Sequence, residues 1–135
     1  MINPNELRIG NYLFHNNQIT KIWSEEICDI ENKSTDSEFF NPIPLSPEIL
    51  EACGFEKKLN SNQYSLQGFL FDIQQMDARA YEVQLNDEFV ANNFGYQITV
   101  IFYLHQLQNL YYSTSGSELM IDYQKLQRSV ATTAK

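Results

Sequence analysis

Four polar-tipped side chains share one face of the clearest helical segment in the chain. His105, Gln108, Asn109 and Tyr112 recur at the i, i+3, i+4, i+7 spacing, which makes them neighbours on a helix. This group could contact a ligand, or it could hydrogen-bond loops and strand ends and so fix the helix on the fold. Catalysis by His105 would require an orienting acid and a nucleophile, and the chain has no GxSxG or Cys–His signature. We therefore predict no catalytic residues, and we favour the anchoring interpretation.

The sequence predicts neither a metal centre nor a bound cofactor. A zinc or iron site needs three or four ligands at defined spacing, whereas the chain has two histidines, and position 108 is Gln. The phosphate-cradling glycine motifs GxxxxGK and GxGxxG are absent.

A nucleotide could still be held by an exposed aromatic ring and one or two cations, because every base offers a π-face for stacking. Trp23, next but one to Lys21, is the strongest candidate for such a ring. The alternative is that most rings form the core and rim of a β-rich domain. The complete predicted ligand-binding set is Trp23, Lys21, Arg8, Tyr81, Arg79, His105, Gln108 and Tyr112.

Composition limits the partners further. The 135-residue chain has 17 acidic and 9 basic residues, a net charge of −8, so binding to duplex DNA, RNA or anionic lipid is disfavoured. Two cysteines are too few for a secreted disulfide framework. Neither a signal peptide nor an 18-residue apolar window is present, so we expect a cytoplasmic protein with no membrane association.

Hydrophobic periodicity predicts an α+β fold in a single domain, residues 1–135. We expect an antiparallel β-sheet, built from an N-terminal curled hairpin and a β-meander, and two helices, the longer one (about 103–114) packed on the sheet. The hairpin comprises strands at 7–14 and 19–23 joined by an asparagine turn, with 27–30 as a third strand or its continuation. The meander runs from 64 to 100, with turns that include 92–95.

The shorter helix has clear start and stop signals. Ser46, Pro47 and Glu48 form an N-cap, a proline at N1 and an acid in the first turn, and Gly54 with Phe55 is typical of a Schellman ending. Gly116 supplies the corresponding stop for the longer helix. Beyond it we expect a strand or short tail at 117–121, a final helical turn from 122 and a frayed tail at about 129–135.

Three blocks of sequence resemble a known family. ELRIGN (6–11), PIPLSPEILEACGFEK (42–57) and LHQLQNLYYSTSGSEL (104–119) are similar to small proteins encoded by phages and prophages of Bacteroides-type bacteria, in which the helix reads close to LHQLQNLYFALTGEEL. The similarity spans about residues 6 to 120. It implies a setting, a phage protein inside a host bacterium, and it supplies no catalytic or binding residues.

Two functional hypotheses follow from these observations, and an enzyme is a weaker third because no nucleophile–base or metal set is visible. The first is a non-enzymatic phage-encoded binding protein, a counter-defence factor that sequesters either a host immune signalling nucleotide or a host protein. The second is a structural or assembly module of the phage that works through protein–protein contact. A homo-oligomer would fit either hypothesis, because symmetric pairing covers exposed sheet edges.

Overall fold

The computed structural model describes residues 4–32, 40–85 and 97–133. These ranges hold a three-stranded and a five-stranded antiparallel sheet together with four α-helices. The predicted α+β class is therefore confirmed, whereas the predicted number of two helices is too low.

The N-terminal sheet is built on a hairpin of β1 (Tyr12–His15) and β2 (Gln18–Lys21), with β3 (Phe40–Asn41) on the other side of β1. Asn16 and Asn17 both lie in the left-handed region, with φ of 52° and 64°, as a two-residue hairpin turn requires. The predicted hairpin is confirmed, but its first strand starts later than expected. Residues 7–11, predicted as the first part of that strand, form no strand; they follow a 3₁₀ turn at Pro4–Glu6 and include a turn before β1.

The predicted strand at 27–30 is wrong, because these residues belong to helix α1 (Ser24–Glu31). Glu26 starts the helix by accepting the Trp23 backbone N–H at 3.2 Å. Ile27 and Ile30 are three residues apart, so a helix presents both to the small cluster formed with the hairpin. In so short an apolar pattern the helical and strand periods are not distinguishable from sequence.

The second sheet is the predicted meander. Its strands lie side by side in chain order and each neighbouring pair is antiparallel. They are β4 (Glu56–Lys57), β5 (Gln63–Ser65), β6 (Phe71–Gln75), β7 (Tyr81–Leu85) and β8 (Gln97–Ile101). The two-residue strand β4 was not predicted, and the turn expected at 92–95 lies outside the described residues.

Helix α2 (Pro47–Ala52) forms as its sequence signals predict. The Ser46 hydroxyl accepts the Ile49 N–H at 3.2 Å and satisfies a donor of the first turn. At the other end the Phe55 N–H donates to the Leu50 carbonyl at 3.0 Å, which closes the helix.

Helix α3 (Leu104–Ser115) is the predicted longer helix, and Gly116 ends it with a left-handed φ of 75°. Its apolar stripe is part of the main core, where Leu104 and Leu107 are fully buried in a cluster that also holds side chains of the five-stranded sheet. The Tyr111 ring lies 5.2 Å from the ring of Phe69. The predicted packing of this helix on the sheet is confirmed.

A fourth helix, α4 (Tyr123–Thr133), occupies the region expected to be one helical turn and a frayed tail. Leu126 and Val130, at i and i+4, are buried in the main core, where α4 packs against α2. The Asp122 N–H donates to the Ala52 carbonyl at 2.8 Å and ties the start of α4 to the end of α2. Residues 129–133 are therefore helical rather than frayed, and 117–121 form no strand.

Across the described ranges, none of the helices combines the length and the hydropathy that crossing a lipid bilayer demands.

Candidate functional site

The polar face of α3 joins the helix to the chain segment that leads into β1. The Gln108 amide makes two of these contacts: its oxygen accepts the Tyr12 N–H at 2.9 Å and its nitrogen donates to the Gly10 carbonyl at 3.3 Å. The side chain is 1 % exposed. Gln108 therefore satisfies buried backbone groups, and the prediction that it contacts a ligand conflicts with its burial.

Asn109 continues the same seam one residue further along α3. Its oxygen accepts from the Asn11 side-chain amide at 2.8 Å and from Arg8 Nε at 3.3 Å, and its nitrogen donates to the Glu6 carbonyl at 2.6 Å. Together with Gln108 it holds residues 6–12 in place. The anchoring interpretation of this helix face is confirmed for both amides.

His105 lies beside the seam and is 1 % exposed, so it too is closed to a solute. Among the described residues neither of its ring nitrogens has a hydrogen-bond partner. Its ring stacks on Tyr103 at 5.8 Å between centroids, and Nε2 lies 3.6 Å from a carboxylate oxygen of Glu6. Burial lowers the pKa of His105, and the neighbouring Glu6 carboxylate opposes only part of that effect. The imidazole is therefore neutral at pH 7.

The lowered pKa of His105 predicts acid sensitivity. The unfolded chain takes up the proton near pH 6.5 and the folded chain only below it, so the free energy of unfolding falls as pH drops through that region. We expect the melting temperature to decline between pH 7 and pH 5, and to decline less in His105→Gln. The comparison variant is His15→Gln, which removes the chain's other histidine, on β1. An identical pH dependence in His105→Gln would contradict this assignment.

Four of the predicted ligand-binding residues meet on the surface beside this seam. We call the set of Arg8, Tyr112, Glu118, Lys21 and Trp23 the aromatic–cation strip. The guanidinium carbon of Arg8 lies 4.2 Å from the centroid of the Tyr112 ring, and Arg8 also forms a two-pronged ion pair with Glu118.

The second half of the strip repeats the pairing of a cation with a ring. Lys21 Nζ lies 5.7 Å from the centroid of Trp23, whose side chain is 54 % exposed. The two halves adjoin, because the Glu118 carboxylate lies over Gly10 and the Gly10 N–H donates at 2.9 Å to the carbonyl of Ile22, which lies between Lys21 and Trp23 in the chain. Hydrogen bonding by Arg8, and then the charges of Arg8 and Lys21, lower the pKa of the Glu118 carboxyl. Trp23 is therefore an exposed ring beside a cation, as the sequence predicts.

Glu118 is the strip residue that sequence reasoning missed. It lies in the segment expected to be a strand or tail, so nothing predicted its contact with the N-terminal segment. Its carboxylate packs over Gly10, whose φ is +99° and where an added Cβ would lie 3.5 Å from Oε1. The available signal was an acid two residues after Gly116, in the block 104–119 that accompanies the block 6–11, which contains Arg8.

Tyr81 does not serve as a stacking platform, because its side chain is fully buried in the main core. Among the described residues its hydroxyl has no hydrogen-bond partner, and burial raises the pKa of Tyr81 to about 12. The prediction that Tyr81 contacts a ligand conflicts with this burial.

The orphan hydroxyl leads to a prediction. Tyr81→Phe removes an unsatisfied buried oxygen and keeps the ring, so it should raise the free energy of unfolding by about 1 kcal/mol in urea denaturation. The control Tyr123→Phe removes a hydroxyl that donates to the Ile19 carbonyl, and it should give no gain. A clear loss of stability in Tyr81→Phe would show that the hydroxyl has a partner.

Arg79 is the one predicted ligand-binding residue that lines a cavity of about 490 Å³. The cavity lies between the β1–β2 hairpin, the extended segment before α2, α2 itself, the β6–β7 turn and α4. Asp77 fixes that turn, since its Oδ1 accepts the N–H groups of Arg79 and Ala80 at 2.8 Å each. These bonds lower the pKa of Asp77.

The eight predicted residues thus fall into three places. Arg8, Lys21, Trp23 and Tyr112 form the strip, Arg79 borders the cavity, and His105, Gln108 and Tyr81 are buried. In residues 4–32, 40–85 and 97–133, no three His, Cys, Asp or Glu side chains are grouped as a metal site would need.

Comparison of the chain with protein-family models, with curated proteins and with solved structures finds no match.

Proposed function

We propose that this protein is a non-enzymatic binding protein and that the aromatic–cation strip is its contact surface for a partner protein. The observation that carries the proposal is the pairing of two exposed rings with two cations on one surface, Trp23 with Lys21 and Tyr112 with Arg8. Trp, Tyr and Arg are the residues most enriched among those that dominate protein–protein binding energies.

Neighbouring residues support a protein as the partner. Ile9, beside Arg8 in the chain, is 48 % exposed, and Tyr123, whose ring packs 6.1 Å from that of Tyr12, is 42 % exposed. Tyr12 lies opposite Lys21 in the hairpin register, so Tyr123 borders the strip. A surface of exposed apolar groups interspersed with charges suits a protein interface better than a polyanion, which a chain of net charge −8 would repel.

The resemblance of the sequence to small phage and prophage proteins supports a target inside a host bacterium. A host protein held through the strip would make this chain a counter-defence or accessory factor that acts by sequestration. No step of this function requires a reacting group.

Site-specific photo-crosslinking in host cells tests the proposal. A photoreactive phenylalanine at Tyr112 should yield a defined crosslinked partner, and the Trp23→Ala substitution in the same chain should abolish that product. The control position is Leu59, which is 91 % exposed on the β4–β5 turn and lies outside the strip. Equal crosslinking from both positions, or persistence of the product in Trp23→Ala, would refute the strip as the interface.

Sequestration of a signalling nucleotide is the second candidate, favoured by the Trp23 and Lys21 pair. A base could stack on the exposed indole while a phosphate meets the ammonium group. Thermal-shift screening against cyclic and ADP-ribose-type nucleotides tests it, because a ligand that binds the native state raises the melting temperature. A shift that Trp23→Ala removes would support the nucleotide, and a screen without any shift would exclude it.

The structural or assembly alternative uses the same strip against a phage component. Mass spectrometry of purified virions decides between the two settings: presence in the particle favours the assembly module, and absence favours the host target. Self-association is tested by light scattering at micromolar concentration, where a monomer mass would exclude a stable homo-oligomer.

A further inference from the structure

The cavity bordered by Arg79 shares no residue with the strip, and we infer that it binds a small amphipathic anion with an apolar body and a single acidic group. Its volume of about 490 Å³ falls within the range of small-molecule sites. Five different elements of the fold contribute to its wall, so the packing of the domain, rather than one loop, shapes it.

Apolar side chains dominate the wall of the cavity. Ile43, Leu45, Ile49 and Val130 line it from within the core, and Phe14 contributes a half-buried ring from β1. An apolar body placed there removes its surface and that of the wall from water, at a gain of about 25 cal/mol per Å². A sugar or a strongly hydrated group would leave its hydroxyls without partners against the same wall.

Arg79 is the reason for inferring an acidic group on the ligand. Within the described residues, its guanidinium has no hydrogen bond or ion pair, and the turn that presents it is fixed by Asp77. Asp77 is near enough for the charge of Arg79 to contribute to its lowered pKa, but its Oδ1 is engaged by two backbone N–H groups. The guanidinium can therefore take a carboxylate or phosphate in two-pronged fashion.

The other polar groups of the cavity wall limit the number of charges that the ligand can carry. Ser46 accepts the Ile49 N–H through an oxygen lone pair and keeps its O–H as a donor, and the Asn17 side chain, on the hairpin turn, adds a further donor beside Arg79. A single cation in a chain of net charge −8 suits one acidic group and disfavours polyphosphates or dinucleotides.

Isothermal titration calorimetry of the natural chain with four probes of equal chain length tests the inference. Decanoate and decyl phosphate carry the acidic group, decan-1-ol is neutral and decyltrimethylammonium is cationic, all used below micelle-forming concentrations. We expect saturable binding of at least one anion, at least about 10-fold weaker binding of the alcohol, and none of the cation. The tighter of the two anions identifies the acidic group that the site prefers.

Three variants locate the binding. Arg79→Gln should weaken binding of the anion about 10-fold and leave binding of the alcohol unchanged. The charge-matched control Lys57→Gln, on β4, should change the affinity for neither probe. Ala78→Trp, on the exposed turn at the cavity, should block all binding without unfolding the chain. Absence of saturable anion binding, equal affinity for anion and alcohol, or anion binding that survives both Arg79→Gln and Ala78→Trp would overturn the inference.

Discussion

Substitution of Gln108 by alanine is expected to lower the free energy of unfolding by about 2 to 4 kcal/mol. The amide is buried and serves the Tyr12 N–H and the Gly10 carbonyl at once, so its removal leaves a donor and an acceptor unpaired away from water. It also leaves a cavity between α3 and the start of the hairpin. Urea denaturation measures the change as a shift of the midpoint at constant slope.

Gln127→Ala provides the matched control, because it makes the same substitution at an exposed position of α4. It should change the free energy of unfolding by less than about 0.5 kcal/mol. If Gln108→Ala were equally mild, the seam between α3 and residues 6–12 would not be a principal support of the fold.

The second large effect concerns binding rather than stability. Replacing both Trp23 and Tyr112 by alanine should lower the affinity for the crosslinked partner at least about 100-fold. Each ring is expected to act as a hot spot that contributes about 2 kcal/mol or more to binding. Both rings are substantially exposed, at 54 % and 42 %, so the melting temperature should change little. Titration calorimetry with the purified partner and a thermal melt of the same variant measure the two quantities.

Leu59→Ala is the control for this pair of rings, since it removes a side chain that is 91 % exposed and lies outside the strip. Its affinity for the partner should equal that of the natural chain. Full affinity in the Trp23→Ala/Tyr112→Ala variant would remove the strip from the account, whereas full loss in Leu59→Ala would move the interface to another surface.

These two predictions assign different roles to side chains on one face of α3: support of the fold and contact with a partner. The face that carries His105, Gln108, Asn109 and Tyr112 can be recognised from spacing alone, because the helical period is fixed. Which of the four side chains reach solvent depends on where residues 6–12 run, and that is a long-range contact about 100 residues away in sequence. The structure buries His105 and Gln108 under this segment and leaves Tyr112 at its edge.

The local parts of the fold follow from local chemistry and are the parts that the sequence predicts. Ser46 and Pro47 start α2, and the asparagine pair turns the hairpin, because each effect acts within a few residues. The predictions that fail concern α1 and α4. Both helices are stabilised by i, i+3 or i, i+4 apolar pairs that tertiary packing selects. Asp122 caps α4 by accepting the Lys125 N–H at 3.2 Å, but neither helix has the proline at N1 that follows the N-cap serine of α2.

In the candidate site, too, contacts between neighbours in the chain are predictable and long-range contacts are not. The proximity of Trp23 to Lys21 was predictable, since the two residues are only two positions apart in the chain. The approach of Glu118 to Arg8 was not, because it joins the ends of the described chain across the fold. The Arg79 cavity likewise depends on five elements coming together, so the sequence offers Arg79 as a candidate without its apolar surroundings.

The most direct test of the strip as a binding surface uses the chain's single tryptophan. Protein labelled with 5-fluorotryptophan should give one ¹⁹F resonance, from Trp23, at a solvent-exposed chemical shift. Saturation with the partner should move or broaden that resonance as the indole becomes buried, while saturation with decanoate should leave it unchanged. A resonance that stays in place when the partner is fully bound would contradict the account.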